Sequence, residues 1–168
     1  MLKTLAYLGL GSNLGDRMAS LERARTLLEA GGFKTLARSS TWQTEPVGGP
    51  PQGLYLNEVL AGETTLSAEG LLEACLGVER AMGRVRAERF GPRTIDVDVL
   101  FYGDERRDAP GLALPHPRLH ERLFVLVPLA EIAPDLRHPG LGLTAAEMRA
   151  RCRDTSEVRL YDRAAVGA

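Results

Sequence analysis

Three features of the sequence predict an α+β fold: a ferredoxin-like βαββαβ sandwich with an antiparallel sheet, helices packed on one of its faces, and a C-terminal extension. Two stretches of helical period, opening near Asp16 and Ser67, are each flanked by apolar runs of strand length. The resulting order is strand, helix, strand, strand, helix, strand. Between the two central strands lies Glu45-Pro46-Val47-Gly48-Gly49-Pro50-Pro51-Gln52-Gly53, which glycine and proline keep out of regular structure.

The first strand is predicted from Leu5-Ala6-Tyr7-Leu8-Gly9-Leu10, closed by a turn at Gly11-Ser12-Asn13. In the helix that follows, Met18, Leu21, Ala24, Leu27 and Leu28 recur at spacings of three and four. Asn13 or Asp16 can cap this helix, and Gly31-Gly32 stops it. A second strand is expected over 33–44 and a third over 55–65. Ser67 opens the second helix, whose Leu71, Leu72, Cys75, Val78 and Met82 share one side, with its end near Gly83. Thr94 to Tyr102 reads as the fourth strand, closed by Gly103-Asp104. Beyond it a third helix is expected around 121–131, followed by a tail from about residue 140. The whole chain, 1–168, is expected to be a single domain.

Composition narrows the function classes. The 168 residues are 44% hydrophobic and 26% charged, which suits an ordinary globular domain with a real core. A formal net charge of −1 gives no bulk attraction to nucleic acid or to acidic membranes. No apolar run reaches the roughly 18 residues of a membrane span, and glycines interrupt the N-terminal apolar run too early for a signal peptide. Cys75 and Cys152 are too few for a disulfide scaffold and have no metal-ligand spacing. A cytoplasmic protein with reduced thiols, most simply a monomer, is expected. Of 21 basic residues only Lys3 and Lys34 are lysines, so the position of an arginine is informative where its abundance is not.

The residues that suggest chemistry cluster around the fourth strand. In Asp96-Val97-Asp98 the alternation of a strand puts both carboxylates on one face, with Ile95, Val97 and Val99 on the other. Two carboxylates roughly 7 Å apart repel unless a positive charge lies between them. Such a pair suits Mg²⁺, which takes one or two carboxylates and completes its octahedron with water and phosphate. Immediately upstream, Arg84, Arg86, Arg89 and Arg93 offer guanidinium groups able to grip polyphosphate oxygens from the opposite side. Tyr55 and Asn57 share a strand face and pair an aromatic plane with an amide, a combination that can stack a flat heterocycle and read its edge. Downstream, His116, Arg122 and Phe124 add an imidazole, a cation and a second aromatic ring.

Two other classes fit poorly. Gly9-Leu10-Gly11-Ser12-Asn13-Leu14-Gly15 puts Leu14 at the third glycine position of a dinucleotide fingerprint, and no acidic residue ends a strand about 20 residues on. That glycine segment is expected to form a tight turn that also shapes a pocket. An RNA platform on a ferredoxin-like sheet would need an aromatic-rich strand pattern that is missing here.

Together, several segments resemble the hydroxymethyldihydropterin pyrophosphokinase family. They are Gly11-Ser12-Asn13-Leu14-Gly15, Thr44-Glu45-Pro46-Val47-Gly48, Tyr55-Leu56-Asn57, Glu79 through Arg86, Gly91-Pro92-Arg93-Thr94-Ile95-Asp96-Val97-Asp98, Pro115-His116-Pro117, and Pro128-Leu129 through Ala133-Pro134. They occur in the family's order from about residue 5 to 135, and the Gly91–Asp98 stretch is the most specific. The resemblance implies the ferredoxin-like fold and a Mg²⁺-dependent transfer of pyrophosphate from ATP to 6-hydroxymethyl-7,8-dihydropterin, a step of folate biosynthesis that releases AMP.

Residue roles follow from the resemblance. Asp96 and Asp98 would hold two Mg²⁺ ions. Arg84, Arg93 and His116 would contact phosphate, Arg86 would act from the loop, and Glu79, Val99 and Arg122 would belong to the ATP side. Thr44, Pro46, Val47, Tyr55, Asn57 and Phe124, with Asp96, would form the pterin pocket, Tyr55 and Phe124 sandwiching the ring. Asp96 stands as one candidate acceptor for the hydroxyl proton. Leu76, Phe90 and Pro117 depart from residues found in some relatives, and the arginine loop is one residue shorter.

Overall fold

A computed structural model describes residues 2–46, 53–83 and 94–164. The first strand, β1 (Thr4–Ser12), runs straight into helix α1 (Arg17–Ala30). Asp16 is the cap, its carboxylate accepting the Ala19 N–H at 3.1 Å. Strand β2 (Lys34–Arg38), strand β3 (Thr41–Thr44) and strand β4 (Tyr55–Thr64) follow. The expected single strand over 33–44 is therefore two. The break falls at Ser39-Ser40, where the Ser39 hydroxyl accepts the Val59 N–H of β4 at 2.8 Å and so replaces a backbone partner.

Helix α2 (Ala68–Ala81) is capped by Ser67, whose hydroxyl accepts the Gly70 N–H at 3.0 Å. Strand β5 (Asp96–Tyr102) is followed by a hairpin of β6 (Arg107–Ala109) and β7 (Leu112–Leu114). A short 3₁₀ turn (Leu119–Glu121) precedes helix α3 (Leu123–Ile132). Helix α4 (Ala145–Arg151) and strand β8 (Val158–Asp162) complete the described chain. The expected tail thus carries a helix and a strand.

The sheet runs β5-β1-β4-β3-β8, with β2 pairing β4 alongside β3, and every pairing is antiparallel. An antiparallel sheet with helices on it, in the order 4-1-3-2 of the four core strands, is the ferredoxin-like α+β arrangement. The helices do not all lie on one face, as the sequence order suggests. Ala6, Leu8, Leu10, Leu56, Leu60, Val97 and Val99 pack against α1 and α2. Tyr7, Val59, Ala61, Leu100 and Phe101 pack against α3 and α4 on the opposite face. Burial of apolar surface on both sides makes β1 and β4 the centre of the molecule, each fully buried leucine there contributing about 1.5–3 kcal/mol.

A carboxylate is buried between β4 and α1. Glu58 is 1% exposed; its carboxylate meets Arg25 of α1 at 2.5 Å and Arg38 at 3.9 Å and accepts the Thr41 hydroxyl at 3.2 Å. These partners offset its desolvation and lock β4 to α1 and β3. Among the described residues both cysteines are free, and no helix is long and apolar enough to cross a membrane.

Candidate active site

The sheet's α3-side face is left open at one end, and glycine is the reason. Gly11 stands opposite Asn57 of β4 and Asp96 of β5, and Gly9 stands opposite Val59 and Asp98. Asp96, Gly11, Asn57 and Trp42 therefore form one row across four strands. With no side chain at Gly9 or Gly11, the carboxylates and the amide face a shallow trough. A Cβ at Gly11 would lie 2.6 Å from Asn57 Oδ1 and 3.3 Å from Tyr55 Cδ1. These glycines lie within β1, so the expected turn falls later, at Gly15, whose φ is +69°.

Around this floor is a cleft of about 790 Å³. One end is formed by Thr44, Glu45, Pro46, Tyr55 and Asn57, a second wall by His116, Pro117, Arg118, Arg122 and Phe124, and the far side by Leu72, Leu76 and Glu79 of α2 with the β6–β7 hairpin. Asp96, Asp98 and Val99 line it between them. Of the residues singled out from the sequence, eleven come together here: Thr44, Pro46, Tyr55, Asn57, Glu79, Asp96, Asp98, Val99, His116, Arg122 and Phe124. Val47, Arg84, Arg86 and Arg93 lie outside the described residues.

Each wall is held by identifiable bonds. Asn57 donates from Nδ2 to Thr44 Oγ1 at 2.5 Å, which fixes the amide across the β3–β4 pair. Glu79, 4% exposed, accepts the Val97 N–H of the edge strand β5 at 2.9 Å. This bond holds the strand that carries the two carboxylates. Between Tyr7 and Leu8 the β1–β5 register slips by one residue, so Leu100 is an extra residue in β5. The Leu100 carbonyl accepts the His116 N–H at 2.9 Å, placing the imidazole beside the strand.

The charges differ along the cleft. Burial, with Arg122 and Arg118 nearby, pushes the His116 imidazole down to about 4. Its Nδ1 accepts the Arg118 N–H at 3.3 Å, so at neutral pH the ring is uncharged and carries its proton on Nε2. Burial also lowers the Arg122 guanidinium; Asp98 opposes that shift, Arg118 adds to it, and Glu121 opposes it. Among the described residues there is no cluster of three or more His, Cys, Asp or Glu side chains able to cage a metal ion. A two-carboxylate site matches an ion that draws its remaining ligands from water and substrate.

His116 supplies a stability prediction with a definite sign. Between its folded value of about 4 and the ordinary 6.5, the unfolded chain binds more protons than the folded one. Stability therefore rises with pH across that window and is lost on acidification. His116→Gln should lose less stability than the parent between pH 6.5 and pH 4, as thermal melts at the two pH values would show. An NMR titration placing His116 near 6.5 would contradict the burial argument.

Sequence reasoning missed the β6–β7 hairpin and Leu72; it expected the glycine segment to shape a pocket, but as a turn and not, as Gly9 and Gly11 do, as a floor within β1. The glycine alternation on an apolar strand was a usable signal, since residues two apart share a face.

Fold and cleft together define a ferredoxin-like α+β domain with an open, glycine-floored ligand site that carries two carboxylates at its centre. Residues 7–134 match the model of the 7,8-dihydro-6-hydroxymethylpterin-pyrophosphokinase (HPPK) family, and the chain belongs to that family. It is an enzyme of the pterin pyrophosphokinase class, working in folate biosynthesis. The chain is 52% identical over 134 residues to the 2-amino-4-hydroxy-6-hydroxymethyldihydropteridine pyrophosphokinase of Methylorubrum extorquens, covering 79% of this chain and 85% of that protein. The enzyme of the same name from Bacillus subtilis is 43% identical over 132 residues, covering 78% and 79%. Wild-type Plasmodium falciparum HPPK-DHPS superposes with a TM-score of 0.67 at 14% identity, over 88% of this chain and 43% of that one. That likeness bears on the fold, and this chain spans less than half the length of that protein.

Proposed function

We propose that this chain transfers pyrophosphate from ATP to the hydroxymethyl group of 6-hydroxymethyl-7,8-dihydropterin, with Mg²⁺ held at Asp96 and Asp98. The observation that carries this reading is the row Asp96–Gly11–Asn57. It sets a carboxylate pair beside an amide and an aromatic ring on one floor, with the space between them kept clear by glycine. The pterin fits the end built from Thr44, Pro46, Tyr55, Asn57 and Phe124, with Val47 from the adjoining segment. Asn57 reads the ring's amide edge, while Tyr55 and Phe124 supply aromatic faces. ATP fits the side built from Leu72, Leu76, Glu79, Val99 and His116. There Nε2–H of the neutral His116 donates to phosphate oxygen, and Arg122 supplies a positive charge near Asp98.

The reaction follows from this arrangement. The hydroxymethyl oxygen attacks the β-phosphorus, the bond from that phosphorus to the α-phosphate oxygen breaks, and AMP leaves. Asp96, the carboxylate of that row, is the candidate for accepting the hydroxyl proton. Mg²⁺ when bound would neutralise charge on the triphosphate and orient it. Positioning and electrostatic stabilisation are most of what a protein supplies to such a transfer. Arg84, Arg86 and Arg93 serve the same phosphate chain from the segment between α2 and β5.

Appearance of AMP from ATP and Mg²⁺, with and without the pterin, tests the reading. Pterin-dependent AMP in equal amount with the pterin diphosphate is the expected result. ADP in place of AMP would reduce the reaction to ordinary phosphorylation, and no product in the presence of both substrates would overturn the reading.

A further inference from the structure

Residues 135–164 lie beyond the stretch shared with the family model, yet they grip both walls of the cleft. Helix α3 begins between two site residues, Arg122 and Phe124, and its own N-cap residue supplies no side-chain bond. The first amides of a helix have no partner within it. Here the partner comes from far along the chain: Asp154 Oδ2 accepts the Leu123 N–H at 3.0 Å, while Oδ1 accepts the Ser156 N–H at 2.8 Å. Glu157 N–H then donates to Glu45 Oε1 at 2.9 Å, and Val158 pairs with Thr44 as β8 joins β3.

The same segment reaches the other end of α3. Ala164 N–H donates to Ser40 Oγ at 2.9 Å, and that hydroxyl donates to Glu131 Oε2 at 2.6 Å. Glu131 also accepts the Trp42 indole N–H at 3.1 Å. One continuous stretch of chain therefore fixes the start of α3, the end of β3 and the far end of α3. Phe124 and Thr44, on opposite sides of the cleft, are each one residue or less from an atom this stretch holds.

Resting on the functional reading above, we infer that residues 154–164 are a strap that sets the width of the pterin end of the cleft, with Asp154 as a positioning residue for Phe124. Asp154 touches no ligand in this scheme. It acts by holding the first turn of α3, and through it the aromatic face, at a set distance from Tyr55 and Asn57.

The test compares the full-length parent with Asp154→Ala and Asp154→Asn. Binding of 6-hydroxymethyl-7,8-dihydropterin is followed by the fluorescence of Trp42, the sole tryptophan, and the pterin KM is measured separately from kcat. Asp154→Ala should raise the pterin Kd and KM about tenfold, the equivalent of one lost cap. Asp154→Asn keeps one acceptor oxygen in place of two, enough for Leu123 N–H with the Ser156 N–H released, and should recover part of that loss. An alanine variant that melts earlier but binds pterin like the parent would overturn the proposal, as would equal losses in both variants. Should the alanine variant fail to fold, Asp154→Ser, whose shorter side chain cannot hold Leu123, is read in the same way. A parent protein that does not bind the pterin overturns the functional reading and the strap with it. A parent that binds, beside an alanine variant that binds equally, overturns the strap alone.

Discussion

Replacing Asp98 or Asp96 with alanine should lower the rate of pyrophosphate transfer by about three orders of magnitude, roughly 4 kcal/mol of transition-state stabilisation. Both carboxylates line the cleft from one face of β5, while Val97 and Val99 between and beyond them are buried against α2. The strand's own packing therefore survives the change. Asp98 is exposed, so its loss should leave the melting temperature nearly unchanged. Chelating divalent cations should produce a comparable loss of turnover in the parent protein and little further loss in the variants. Near-normal turnover of either variant in saturating Mg²⁺ would remove the metal from these residues.

Gly11→Ala should weaken pterin binding by about two orders of magnitude while leaving ATP binding close to that of the parent. The added methyl would lie 2.6 Å from Asn57 Oδ1, well inside van der Waals contact, and 3.3 Å from the Tyr55 ring. Asn57 must then turn, which breaks its bond to Thr44 and takes the amide from the pterin edge. A buried polar group left unpaired costs about 1–3 kcal/mol, and lost recognition of the ring edge adds to that. Gly9→Ala is the control. Its Cβ would meet Leu100 at 3.4 Å, an ordinary contact, and it faces Asp98 instead of Asn57. Calorimetric titration of each variant with pterin and with a non-hydrolysable ATP analogue separates the two effects. Equal pterin affinity in Gly11→Ala and the parent would show that Asn57 does not read the ring.

Much of this site could be read from local pattern. Asp96 and Asp98 share a face because a strand alternates, and Tyr55 and Asn57 reach the same cleft for the same reason. Asp16 and Ser67 cap their helices because short oxygen-bearing side chains satisfy the first amides. Of the stretches carrying the family resemblance, Thr44 to Pro46, Tyr55, Asn57, Glu79, Asp96 to Asp98, His116 and Pro117 line one cleft, while Leu56 and Ile95 belong to the core beneath it.

Other features had no local signal. Ser39 interrupts a strand whose residues all tolerate extended backbone, and only the neighbouring β4 reveals that its hydroxyl takes a ladder position. The two strands of the β6–β7 hairpin are three residues each, too short for any period to show. Helix α3 is apolar nearly all round, so its sequence does not state which side of the sheet it covers. Asp154 reads as an ordinary polar residue in a tail until Leu123, 31 positions away, is seen beside it.

The sequence by itself determined the first strand, the two capped helices and the strands that carry Tyr55 and Asp96, the alternation that pairs the two carboxylates, and the chemistry those residue types can perform. These properties depend on neighbours within a few positions along the chain. The tertiary structure alone decided that α3 and α4 close the second face, that Gly9 and Gly11 are the floor of a cleft, and that the C-terminal strand ties its walls together. Each of those outcomes arises from long-range pairing, in which the space a residue occupies is set by strands and helices remote in sequence.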